Sequence, residues 1–161
     1  MTFISNTCTC SFSCIVLYDI GRTRRVQPET MVAFQAMKLN TQTGIGTNQN
    51  ILFEKVSLNL GNGYHPQHGI FIVPRSGIYV ISAATLHDPQ QGIYFNGAIE
   101  HQGNAIAYLF GDANEWEQSS QTVLIQANAG DEIWVRNTGP TNENIHGGAF
   151  STFSGYLLWE N

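Results

Sequence analysis

The sequence predicts an all-β protein, an antiparallel β-sandwich of the jelly-roll or immunoglobulin kind. Three observations predict it. Short apolar runs of strand length recur along the chain, rich in β-branched and aromatic residues and separated by Gly, Asn, Pro and Asp. No window sustains a helical i, i+3, i+4, i+7 stripe beyond two turns. Charged residues are 12% of 161, about half the usual share, which excludes a coiled coil, a long charged helix and a charged disordered tail.

The elements follow in order. Residues 1–30 hold all three cysteines (Cys8, Cys10, Cys14) and the basic cluster Arg22, Arg24 and Arg25, with little periodic apolar content. They are expected to form a flexible N-terminal segment ahead of one globular domain at 31–161. Candidate strands in that domain are 31–39 (MVAFQAMKL), 51–58 (ILFEKVSL), 69–73 (GIFIV) and 77–86 (GIYVISAATL). Further candidates are 92–99 (GIYFNGAI), 104–110 (NAIAYLF), 121–127 (QTVLIQA), 131–137 (DEIWVRN) and 147–159. Gly61-Asn62-Gly63, Asn96-Gly97, Ala129-Gly130-Asp131 and Gly139-Pro140 are read as turns between them. There is no internal repeat and no Cys…Trp…Cys pattern, which argues against an immunoglobulin domain.

The last run has two apolar faces. One would carry Phe150, Thr152, Ser154, Tyr156 and Leu158, the other Ser151, Phe153, Gly155, Leu157 and Trp159. A sandwich strand buries one face and shows the other to water, so the second apolar face predicts a second cover, either a further copy of the chain or a loop or the N-terminal segment. Phe150, Phe153, Tyr156 and Leu158 are therefore assigned to core or subunit interface.

Charge excludes several partners. From residue 31 onward, four basic against ten acidic residues leave the body at −6. That is no footprint for nucleic acid or an anionic membrane. The apolar run Cys14–Tyr18 is far too short to span a bilayer, and the start MTFISN lacks the basic residue of a signal peptide. C-x-C-x3-C has no nearby fourth ligand for zinc. No G-x-S-x-G is present, and His87-Asp88 are strand neighbours that point to opposite faces, so the chain is read as no enzyme. His65-x-x-His68 lacks a third metal ligand and reads as a polar turn. Arg22-Thr23-Arg24-Arg25 has the R-x-R-R form of a processing site, bounded by Arg22 and Arg25. The segment 112–117 packs Asp112, Glu115 and Glu117 into six residues, oxygen ligands of the kind calcium takes from a loop.

A spaced pattern then gathers these readings: Phe53, Asn59, Tyr64, Phe71, Gly77 and Tyr79 stand in order at intervals of six, five, seven, six and two. It resembles the signature of the complement C1q globular-domain family, departing where the family has two further aromatics and this chain has Ile81 and Ala83. VAFQA (32–36), the stretch from Asn96-Gly97 through Val123-Leu124 to Ala129–Val135, and FSGYLL (153–158) resemble further strands of that family. The resemblance covers 32–159. It implies a C1q/TNF-like jelly-roll β-sandwich of about ten antiparallel strands, a homotrimer and secretion, in a head without the collagen stalk of many members. It also implies a non-catalytic recognition module. The reading is innate-immune pattern recognition, lectin-like, of microbial glycans or lipopolysaccharide. The alternatives are an extracellular signalling or adhesion ligand for a protein receptor and a structural assembly subunit. Some members bind calcium through an Asp after an aromatic-ended strand, the position of Asp112 here, while Glu115 and Glu117 have no matching positions; the loop is thus read as either a calcium site or a solvated acidic loop, with calcium the one cofactor considered.

Overall fold

The computed structural model describes residues 31–89, 93–140 and 142–161. Among them are twelve strands and no helix. They are β1 (Ala33–Met37), β2 (Gln42–Ile45), β3 (Lys55–Leu60), β4 (Tyr64–His65), β5 (Ile70–Ile72), β6 (Gly77–His87), β7 (Phe95–His101), β8 (Asn104–Gly111), β9 (Glu117–Ala127), β10 (Glu132–Asn137), β11 (Glu143–Ile145) and β12 (Thr152–Glu160). All pair antiparallel, in two sheets.

The larger sheet is organised on β6. β9 pairs with all eleven β6 residues, while β12 and then β11 share the other edge. From β12 the sheet continues through β1 to β3, and from β11 to β2. The smaller sheet runs β4-β5-β10-β7-β8. Their inner faces meet in an aromatic core: Phe34 stacks on Phe71 at 4.5 Å and on Tyr64 at 5.1 Å, and meets Phe153 edge-on at 4.9 Å.

The spaced motif of the sequence is this core and its fastenings. Phe53, Tyr64, Phe71 and Tyr79 are buried. Asn59 clamps the turn into β4, accepting from Tyr64 N and donating to Tyr64 O. A Cβ on Gly77 would run into Trp159 O and the Leu157 side chain. The departures are compensated across the sheet. Ile81 lies opposite Gly155 and fills the space a Cβ there would need, while Ala83 lies opposite the bulky Phe153.

Several readings of the sequence are corrected. Asn96-Gly97 is not a turn; it lies within β7, paired with Phe110 and Leu109, and the Phe95 ring fills the space beside Gly97. The hairpin turns instead at Gln102-Gly103, both with positive φ (51° and 80°), the conformation that suits a two-residue hairpin. β2, β4 and β11 were not read as strands. Their two to four residues are too short or too polar for an apolar run, and their pairing comes from neighbours. Residues 51–54 join no strand; Ile51 N instead donates to Val135 O, so this segment extends β10's pairing beyond β5. The last strand holds a bulge between Leu157 and Trp159, which puts Trp159 opposite Ile78 rather than on the face of Phe153.

Candidate recognition surfaces

The outward face of the larger sheet is built by register. Leu124, Val80, Tyr156, Ala33 and Leu60 stand side by side across β9, β6, β12, β1 and β3. The next row is Thr122, Ser82, Ser154, Gln35 and Leu58, with Ser82 and Thr122 hydroxyls 2.9 Å apart. Leu124 is 65% exposed, Tyr156 47% and Trp159 68%. Of the four residues assigned to core or interface, Phe153 is fully buried, whereas Phe150, Tyr156 and Leu158 are exposed.

The acidic loop is arranged for its own backbone. Glu117 Oε2 accepts from Asp112 N at 2.7 Å, and Asp112 Oδ1 accepts from Asn114 N at 2.8 Å. Glu115 is exposed. Among the described residues no three His, Cys, Asp or Glu side chains converge as a metal ligand set. Beside the loop, the exposed Trp116 ring meets His146 at 4.8 Å, and His146 meets the exposed Phe150 at 5.9 Å. Tyr94 stacks on Phe110 at 5.7 Å. His65 and His68 form a backbone turn, His68 N donating to His65 O. His87 is buried against Phe95, with Nδ1 4.0 Å from Glu143 Oε2, and burial lowers its pKa. Arg22, Arg25 and the cysteines lie outside the described residues.

Two polar clusters escape sequence reasoning. Lys38, 2% exposed, donates to Leu52 O (2.7 Å) and Gln42 Oε1 (3.0 Å) and lies 3.8 Å from Glu54. Burial lowers its pKa against the pull of Glu54. Gln42 passes the constraint on, accepting from Leu52 N and donating to Asn50 O. On the outward side of the smaller sheet, Glu100 is 5% exposed. Its Oε2 accepts from Trp134 Nε1 at 3.0 Å and lies 3.3 Å from Arg136 Nε, while the Arg136 guanidinium sits 4.7 Å over the Trp134 ring. The only sequence signal was alternation in β10, which puts Trp134 and Arg136 on one face.

With this geometry in place, the comparisons with known proteins agree. The C1q domain model matches residues 33–158. The chain belongs to the C1q-domain family. Within it, the mouse "Complement C1q tumor necrosis factor-related protein 3" is 32% identical over 140 residues, covering 84% of this chain and 54% of the relative. Its human counterpart is 31% identical with the same coverage. This C1q-domain chain thus spans about half the length of the curated relatives it matches. Among solved structures, the globular domain of zebrafish complement 1qA has TM-score 0.68 at 12% identity, covering 81% of this chain and 99% of that one. The Eiger TNF of S. frugiperda has TM-score 0.67 at 10% identity, covering 81% and 94%. These likenesses establish a shared C1q/TNF jelly roll. No helix among the described residues is long and apolar enough to cross a membrane.

Proposed function

We propose that this C1q-domain chain is a secreted, non-catalytic recognition module that works as a homotrimer and binds microbial glycans, lipopolysaccharide among them. The observation that carries it is the outward face of the larger sheet, where the apolar row through Leu124, Val80 and Tyr156 lies beside a row of hydroxyls. A contiguous apolar sheet face of this kind is stabilised by burial against further copies. The exposed aromatics Trp116, Phe150, Tyr94 and Phe110 support the ligand class, because sugar rings stack on such faces. With the body at −6, an anionic bacterial surface is held by stacking and hydrogen bonds rather than by bulk charge. Calcium enters this reading through the assembly. Asp112 and Glu117 of one chain already serve their own loop, so the remaining ligands would come from neighbouring copies.

A glycan array probed with the wild-type trimer and with Tyr156→Asp, with and without calcium, tests the reading. The expected result is glycan binding that is strong for the trimer and weak for the dissociated variant, since three weak sites gain avidity on a repetitive surface. Binding to a host cell-surface protein with no glycan binding overturns it in favour of a signalling ligand.

A further inference from the structure

Away from the proposed subunit face lies an open cleft of about 540 Å³. Its floor and walls come from Gln42 of β2, the 48–52 segment, residues 67–70 leading into β5 and Arg136 of β10; none of its lining residues belongs to β1, β3, β6, β9 or β12. The volume falls within the range of small-ligand sites.

The chemistry of the lining is narrow. Backbone groups there are largely spent: Asn48 N and Ile51 N donate to β10, Gln49 O accepts from Asn137 N, and Asn50 O and Leu52 N are held by Gln42. Side-chain amides are left to face the cleft. Those of Asn48 and Gln67 make no hydrogen bond to described residues, while Gln49 and Asn50 use one end each, on Gly46 N and His68 O. Leu52 and Ile70 supply a small apolar strip. Arg136 supplies the charge. Glu100 Oε2 lies 3.3 Å from its Nε without a hydrogen bond, the Trp134 ring lies 4.7 Å from its Cζ, and neither terminal nitrogen hydrogen-bonds to a described residue.

We propose that this cleft binds a carboxylate-bearing saccharide, with the carboxylate on the free edge of the Arg136 guanidinium and the hydroxyls on the amides of Asn48, Asn50 and Gln67. The proposal rests on the glycan-binding reading and adds the site and the sugar class. A side-chain amide offers both a donor and an acceptor, which matches a vicinal diol. A guanidinium stacked on the Trp134 ring, with Glu100 beside its Nε, can present its two terminal nitrogens as a planar fork for a carboxylate. The strip of Leu52 and Ile70 suits the C–H face of a pyranose. A peptide is disfavoured, because an extended peptide is recognised by backbone pairing and the local backbone is already paired.

The test is calorimetric titration of the full chain with trigalacturonate and with its methyl ester, which keeps the hydroxyls and removes the charge. Wild type is expected to bind the acid at least roughly tenfold tighter than the ester. Arg136→Lys keeps the charge and loses the fork, so that preference is expected to fall to near parity. Gln67→Ala, at an exposed position, is expected to weaken acid and ester alike; full wild-type affinity for both would remove Gln67 and the cleft from the site. Thermal melts establish that each variant is folded. Equal affinity of wild type for acid and ester overturns the role of Arg136 and leaves glycan binding standing. Binding of neither, while an array still shows neutral glycans bound, overturns the cleft alone. Binding of no glycan at all overturns the functional reading with it.

Discussion

Replacing Lys38 by Met keeps most of the side-chain volume and removes the buried ammonium. Leu52 O loses its 2.7 Å donor outright. Gln42 Oε1 keeps Leu52 N as a partner and loses only one of two donors. Glu54 is 35% exposed and keeps Leu39 N, Asn40 N and Asn40 Nδ2 on Oε1, so its carboxylate retains both water and protein partners. An orphaned buried carbonyl costs about 1–3 kcal/mol, and losing one partner of a fully buried ion pair about 3–5 kcal/mol. Solvent at Glu54 discounts the second cost, and the desolvation that lowers the Lys38 pKa is relieved. The net loss is about 2–3 kcal/mol, which for a domain of this size lowers the melting midpoint by roughly 7–12 °C. Thermal denaturation followed by circular dichroism reads it. A drop below roughly 2 °C, or a rise, would refute the claim that this ammonium fastens the 48–54 segment to β1.

Three further outcomes are expected. Tyr156→Asp places one carboxylate per copy in the subunit face, costing about 1–3 kcal/mol each and at least roughly a hundredfold in trimer association, while the isolated chain still melts cooperatively; a variant that sediments like wild type removes this face from the interface. The lowered pKa of His87 means that, from 6.5 down to that value, the unfolded chain binds more protons than the folded one. Stability is therefore complete above pH 6.5 and falls on acidification; melts from pH 7.5 to 5.5 should show this, His87→Leu should flatten it, and a gain on acidification contradicts it. Millimolar calcium should raise the melting midpoint of the assembled protein and Asp112→Asn should abolish that rise; an unchanged midpoint in wild type removes calcium from the account.

Much of the sandwich was legible because its strands are written as local apolar runs. β6 alternates buried and less buried residues over its whole length, and the spaced motif names the aromatic core directly. What escaped depends on partners distant in sequence. Gly97 carries a turn signal, yet seven residue pairs between β7 and β8 hold it in a strand. Trp159 changes face because one extra residue is accommodated at Leu158, which no periodicity announces. Lys38 reads as a surface base until Gln42, Leu52 and Glu54 close over it. The acidic loop shows the reverse: three carboxylates close in sequence suggested a ligand set, but two of them turn to backbone amides and the third is exposed. Arg136 was visible as one of four basic residues in the body and, by alternation, on the face of Trp134; its position over the Trp134 ring and beside Glu100 of the next strand was not.

Assembly through the outward face of the larger sheet underlies both the calcium and the avidity expectations. Sedimentation equilibrium of the wild-type chain at micromolar concentration tests it most directly. The predicted mass is about three times 17.8 kDa. A single species at 17.8 kDa would contradict it.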